Sequence, residues 1–246
     1  MPNRVRHDKA VILNLVQNPF LIFNLMHKLN RIKAIIFDFD GTLAILNIDF
    51  SRMREQVLAL IKHFGVDEES IKERYLLEII DEVSPLIWKR NPADAEEFYQ
   101  KAHQILHEVE LKAAGEGSLI PGAEEALIML RKKGFRVGII TRNCEEAVRK
   151  VFPDIDEYCD VFISRDSVEK VKPHPDHLNA TLEALKVSGE EALMVGDHLI
   201  DIQAGKRAGM MTVGVLTGRI KREEFEEAGA DYILKDVTEA WELVKT

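Results

Sequence analysis

Ile32-Lys33-Ala34-Ile35-Ile36-Phe37-Asp38-Phe39-Asp40-Gly41-Thr42-Leu43 is the stretch on which the rest of the chain turns. Ile35, Ile36 and Phe37 are consecutive apolar residues, not alternating ones, so the pattern predicts a strand buried on both faces. Such a strand has no solvated side on which a carboxylate is harmless. Asp38 therefore belongs at the strand's end, on the carboxyl edge of a parallel sheet, where open α/β sheets place their ligands. Gly41 lets the chain leave sharply. Asp38 and Asp40, two apart in an extended segment, share a face. Two carboxylates held together repel, so positive charge is expected beside them.

The 246 residues allow one large domain or a core with a smaller insert. An apolar fraction of 46% and a charged fraction of 30% are those of an ordinary globular protein. A net charge of −9 argues against a nucleic-acid partner, which basic patches would grip. Cys144 and Cys159 show neither metal spacing nor a disulfide framework, which suits a reducing cytoplasm. Cys144 falls near an expected helix N-terminus, where a thiol can become reactive, although a small packed side chain is the simpler expectation.

Residues 1–30 read differently from the rest. Arg4, Arg6 and Lys9 precede two apolar runs, but Asn14, Gln17, Asn18, Pro19 and Asn24 interrupt them, so no span crosses a bilayer and no small-residue cleavage site follows. The run VRHDKAVILNLVQNPF resembles translated interspersed repeat DNA. Residues 1–30 are expected to be an extension outside the fold, with the native product beginning near Met26.

Beyond the opening strand, apolar residues at helical spacing predict three helices, over Ser51–Phe64, Asp67–Val83 and about Pro92–Ala114, closed off by Gly115-Glu116-Gly117. Helix and strand then alternate as in a parallel sheet. Strands are expected at Phe135–Ile140, Val161–Ile163, Ala192–Val195, Thr212–Val215 and Tyr232–Leu234. Helices are expected from Pro121-Gly122 to Gly134, at Cys144–Val151, Asp176–Val187, Ile200–Ala208 and Arg222–Ala228, with a last one at Val237–Val244. The expected fold is α/β: a doubly wound, Rossmann-like parallel sheet from residues 31–47 and 117–246, with a helical unit, 48–116, inserted between its first strand and the rest.

Three further polar clusters stand where strands end. Thr141-Arg142-Asn143 offers a hydroxyl and fresh helix amides to an anion. Lys172-Pro173-His174-Pro175 aims a lysine on a fixed backbone. Gly196-Asp197-His198-Leu199-Ile200-Asp201 brings carboxylates to the edge that holds Asp38 and Asp40. Each cluster alone is a weak signal, but all lie at strand ends of one sheet and can converge on one crevice.

In that order and setting, "DFDGT" at 38–42, Thr141 in "IITRN", Lys172 in "KPHP" and "GDHLID" at 196–201 resemble the four motifs of the haloacid dehalogenase-like hydrolase superfamily. The resemblance covers residues 31–246 and puts the helical insert in the place of that family's small cap. It implies that Asp38 is a nucleophile forming an aspartyl-phosphate, and that Asp40 is the acid and base. It also implies Mg²⁺ held by Asp38, the Asp40 carbonyl and Asp197, with Asp201 as ligand or neighbour. Thr141 and Lys172, with Arg142 and Asn143, would hold the phosphoryl oxygens. Dehalogenases of the same fold lack an aspartate two residues after the nucleophile, so Asp40 favours phosphate over halide.

The chain departs from the commonest phosphatase pattern at Ala44–Phe50, after the first motif, and at His198, where Ser or Thr is frequent. The implied function is Mg²⁺-dependent hydrolysis of a small phosphorylated metabolite, phosphoglycolate phosphatase-like, in a cytoplasmic monomer or homodimer with no nucleic-acid or membrane partner. A β-phosphoglucomutase-like transfer and a non-enzymatic phospho-ligand module are the alternatives. His63, His103 and His107 read as surface or packing residues, and Trp88 and Trp241 as packing residues. Arg52 and Arg54 could meet a second anionic group on a substrate, though solvation is the plainer expectation. Removing residues 1–25 is expected to leave solubility and the far-ultraviolet dichroism of the fold unchanged; loss of folding would make the extension structural.

Overall fold

In the computed structural model, which describes residues 27–244, the opening stretch is strand β1 (Ala34–Asp38), buried along its whole length. Ile35 and Phe37 join one apolar cluster, Ala34 and Ile36 another on the opposite face. Consecutive apolar residues are what a strand covered on both sides requires. The readings for residues 1–26 lie outside the described residues.

The chain then makes a short strand, β2 (Ala44–Ile45), three helices, α1 (Phe50–His63), α2 (Leu76–Trp88) and α3 (Pro92–Ala114), and a second short strand, β3 (Ser118–Leu119). From there helices and strands alternate: α4 (Ala123–Lys132), β4 (Arg136–Ile140), α5 (Glu145–Val151), α6 (Ile155–Tyr158), β5 (Val161–Ile163), α7 (Pro175–Leu185) and β6 (Ala192–Gly196). The series closes with α8 (Leu199–Arg207), β7 (Met211–Val215), α9 (Arg222–Glu227), β8 (Tyr232–Leu234) and α10 (Ala240–Leu243).

Six strands form one sheet in the order β5-β4-β1-β6-β7-β8, and every neighbouring pair is parallel. The chain moves outward from β1 through β4 to β5, then returns to the other side of β1 and runs outward again. That reversal opens a crevice at the carboxyl ends of β1 and its neighbours. Register fixes what meets there. Asp38 lies opposite Ile140 and Phe37 opposite Val195, so the residues after β4 and β6 step off beside Asp38.

The three helices of residues 50–114 leave and return through one doorway. β2 and β3 pair antiparallel, Ala44 with Leu119 and Ile45 with Ser118, and the Ile120 N–H donates to the Leu43 carbonyl at 2.8 Å. Asp49 caps α1 by accepting from the Arg52 N–H at 2.9 Å, and Met53, Val57 and Ile61 form its buried face. Helix α3 starts at Pro92 with Asn91 as its cap, as proline at a first helical position allows.

The second helix begins and ends later than the expected 67–83. Residues Glu68–Ser70 make a single 3₁₀ turn capped by Asp67, and the N–H groups of Lys72 and Glu73 donate to the Glu82 carboxylate instead of to helix carbonyls. Pro85 does not end α2, because the buried stripe Ile79, Ile80, Val83 and Ile87 continues across it. Burial outweighs the one hydrogen bond a proline forfeits. Trp88, the last residue of α2, is 57% exposed, contrary to the packing role expected for it. Trp241 lies beneath the Lys133 ammonium, 5.9 Å from the ring centroid. α6 had no sequence signal, since four residues are too few to show a period. The expected last helix is a 3₁₀ turn at Val237–Glu239 followed by α10.

On the inward face of α3, Ala95, Phe98, Ala102, Leu106, Glu110 and Ala114 are buried. One of these six is charged. Glu110 Oε1 lies 2.5 Å from Arg165 Nη1, with side chains only 4% and 8% exposed. Removing one partner of a buried pair strands the other's charge away from water. Glu110→Ala is expected to cost about 3–5 kcal/mol of unfolding free energy, read as a lowered urea midpoint.

Candidate active site

The crevice opens into a cavity of about 670 Å³ lined by Asp38, Asp40, Thr141, Arg142, Asn143, Lys172, Asp197 and Asp201, among others. Every residue singled out from the sequence motifs is therefore at one place. Their detailed roles in the cavity differ.

Lys172 is the hub. Its ammonium lies 2.5 Å from Asp38 Oδ1 and 2.7 Å from Asp201 Oδ1, with the side chain 2% exposed. The Lys172–Pro173 peptide is cis. Pro175 opens α7, and His177 on that helix holds the lysine's backbone. Its Nδ1 accepts from the Lys172 N–H at 3.3 Å, while Nε2 faces the Ile163 carbonyl at 3.1 Å. Burial first, and then the Lys172 charge, push the His177 pKa down to about 3, so this imidazole is neutral and can accept. In the sequence His177 is marked only as a histidine five residues past Lys172.

Asp38, Asp197 and Asp201 each offer an oxygen within 4.8 Å of the others. Burial is the main cause that raises Asp38 to about 7, with the Asp201 charge adding to it and Lys172 opposing. Burial likewise pushes Asp197 up to about 9, with Asp38 and Asp201 adding to the rise. One ammonium among three carboxylates leaves negative charge uncompensated. A compact set of hard oxygen donors with surplus negative charge fits a hard divalent cation.

The packing around these acids leaves them no room to wander. Asp197 is wedged between two glycines, since a Cβ on Gly41 would come within 2.3 Å of its carboxylate and one on Gly218 within 2.0 Å. Gly41 is also held at φ +83°, a conformation that side chains disfavour. Asp201 is fixed twice more: its Oδ2 accepts from the His198 N–H at 3.1 Å, and its helix, α8, is capped by His198. His198 Nδ1 accepts from the Ile200 N–H at 3.2 Å. The imidazole thus does the capping that a Ser or Thr hydroxyl performs elsewhere.

Asp40 stands apart from the triad. Its Oδ1 accepts from the Leu46 N–H at 3.0 Å. Burial is the largest cause raising its pKa, and the Glu110 charge adds to that. A raised carboxyl is suited to carry a proton to a leaving group.

Thr141 is 1% exposed, and its hydroxyl accepts from the Asn143 N–H at 3.1 Å. The Asn143 side-chain amide nitrogen is buried with no hydrogen-bond partner in the structure. A buried donor without a partner is costly, and Asn143 is among the residues that line the cavity.

Arg142, in contrast, is already engaged. Its guanidinium forks onto Glu78 of α2 with two bonds of 2.7 Å, stacks over Tyr75 at 5.6 Å and contacts the Lys172 carbonyl. Glu110 serves the same loop from α3: Oε2 accepts from the Cys144 N–H at 2.8 Å, while its partner Arg165 donates to the Arg142 carbonyl at 2.9 Å. Glu78, Glu110 and Arg165 carried no motif. A lone charged residue on an apolar helix face was the only available sign, and for Glu110 alone.

Cys144 caps α5 but is buried, and burial followed by the Glu110 charge pushes its thiol up to about 12, which makes it inert. His107 pairs with Glu146 at 3.0 Å and His103 packs on Tyr99. Neither joins a metal-ligand cluster among the described residues. Gly218→Ala is expected to displace Asp197 and weaken divalent-cation binding by about tenfold or more, measured by calorimetry, with the sheet intact by circular dichroism.

Comparison with known proteins bears on the fold and the class. The family model described as haloacid dehalogenase-like hydrolase matches residues 35–215. A pyrophosphatase PpaX of Bacillus mycoides is 30% identical over 214 residues, 85% of this chain and 95% of that protein. One from Bacillus cereus strain ATCC 10987 is 31% identical over 201 residues, covering 80% and 90%. Among solved structures, a hydrolase from Pseudomonas syringae superposes with a TM-score of 0.57 at 23% identity, covering 85% of this chain and 96% of that one. A predicted phosphoglycolate phosphatase from Haemophilus somnus gives 0.59 at 19%, covering 87% and 99%. At such identities the structural likeness is one of fold. No helix among the described residues is long and apolar enough to cross a membrane. The extent of the family match, with relatives named pyrophosphatases, settles the class: the chain belongs to the haloacid dehalogenase-like hydrolases and is a phosphatase.

Proposed function

We propose that the protein hydrolyses a small organic phosphomonoester through an aspartyl-phosphate on Asp38, with Mg²⁺ as cofactor. The observation that carries this is the buried ammonium of Lys172 lying 2.5 Å from Asp38, inside a cavity that also holds Asp40 and Asp197. An Asp38 oxygen attacks phosphorus and the bond from phosphorus to the leaving oxygen breaks. Asp40 gives its proton to that oxygen. Asp40 then takes a proton from the water that attacks the phosphorus of the acyl phosphate, which releases phosphate and restores the Asp38 carboxylate. Lys172, Thr141 and the Asn143 amide donate to the transferring oxygens, where fixed donors act strongly in a water-poor site.

Asp38, Asp197 and Asp201, with the Asp40 carbonyl, would hold Mg²⁺. When bound it would supply the charge that lets a carboxylate approach a phosphate. Helices α1–α3 act as a cap over the crevice, excluding water and selecting the leaving group. A phosphoglycolate-like substrate fits this chemistry. The relatives named pyrophosphatase, at 30–31% identity, favour inorganic pyrophosphate as a second reading. A mutase using the same residues would pass the phosphoryl group to a second hydroxyl and release no phosphate.

Asp38→Asn is expected to lower Mg²⁺-dependent phosphate release from p-nitrophenyl phosphate by roughly a thousandfold or more, and EDTA to stop it in the unaltered protein. Turnover by the variant at the unaltered rate overturns the nucleophile assignment.

A further inference from the structure

The cavity is lined by cationic side chains that its acidic cluster does not engage. Six cationic side chains line it: Arg54, Arg74, Arg142, Arg165, Lys172 and Arg219. Three are committed. Lys172 is shared by Asp38 and Asp201, Arg142 is held by Glu78, and Arg165 by Glu110. The other three are exposed at the rim and have no carboxylate partner among the described residues. Arg54 donates to the Arg74 carbonyl at 3.0 Å, which ties the start of α1 to the segment before α2. Arg219 comes from the loop after β7, directly beyond the glycine against which Asp197 packs. In a chain with a net charge of −9, three uncompensated arginines converging on one cavity mouth form a local field for anions.

The wall of the same cavity is apolar. Ile45 and Phe50 line it while remaining 42% and 50% exposed, and Met53 and Leu77 line it as well. Open apolar surface of that size is covered by a ligand body more readily than by water. Inorganic pyrophosphate has no surface to place against it.

We propose that the substrate's leaving group is organic, with an apolar body that lies along Ile45, Phe50 and Leu77 and a second anionic group that Arg54, Arg74 and Arg219 bind. The assignment rests on the phosphatase reading for the transferred group, and it adds what is attached to that phosphoryl. It counts against inorganic pyrophosphate, which could meet the arginines but has no body to lie along the apolar wall.

The test uses two non-hydrolysable probes, benzylphosphonate and 4-carboxybenzylphosphonate, titrated calorimetrically into the full chain with Mg²⁺. The carboxylated probe is expected to bind about tenfold tighter, the scale of one charge-assisted contact. The triple variant Arg54→Gln, Arg74→Gln, Arg219→Gln is expected to bring the two within about twofold. Equal affinities in the unaltered protein, or a preference that survives in the triple variant, overturn the anion site. Hydrolysis of pyrophosphate with a higher kcat/KM than 4-carboxyphenyl phosphate overturns the organic leaving group. Absence of phosphate release from every substrate instead removes the phosphatase reading, while the binding ratio still decides the anion site.

Discussion

Lys172 carries one positive charge into a space that three carboxylates share, and most of the core can be understood as keeping it there. An ammonium taken out of water costs several kcal/mol before any partner is counted, so its backbone and its partners must both be fixed. His177, held neutral by burial, ties down the lysine's N–H. The strand register brings Asp38 to the same edge, and the His198-capped helix presents Asp201. The arrangement remains short of positive charge. That deficit fits the site for a hard cation.

The helices inserted after β1 do more than roof the crevice. Glu78 and Glu110 reach across from two of them to the loop that follows β4. The first grips the Arg142 side chain. The second holds the Cys144 amide directly and the Arg142 carbonyl through Arg165. Thr141 and Asn143 thus sit in a loop held by Glu78 through the Arg142 side chain and by Glu110 through its backbone. The geometry of that loop and the seating of the helices are one set of contacts.

Much of this was legible in the residues. The strand at Ile35–Phe37 followed from its unbroken apolar run, and the gathering of Asp38, Thr141 and Asp197 from their standing at strand ends of one parallel sheet; Lys172, expected at a strand end too, lies nine residues beyond β5 and reaches the cavity from the loop before α7. The second helix was misplaced because periodicity is blind to competition: Glu82 captures the N–H groups of Lys72 and Glu73 from ten and nine residues away, and no local pattern announces that. Arg142 looked like a ligand for phosphate from its neighbours in sequence, yet Glu78, 64 residues distant, occupies its guanidinium. Charged pairs between an insert and its host are set by tertiary approach, so neither member carries a sign in its own segment.

The two-residue strands β2 and β3 have a consequence for how such a protein can change. Because the chain departs and returns through adjoining strands, everything between them could be exchanged for another insert without reordering the sheet. The exchange is not free. Arg165 belongs to the host, and it would be left a buried cation with only the exposed Asp166 carboxylate 3.8 Å away unless the incoming segment brought an acid to the place of Glu110. Inheritance of new specificity through this doorway is therefore conditional: any replacement must arrive already carrying the counter-charge that the sheet's own loops expect.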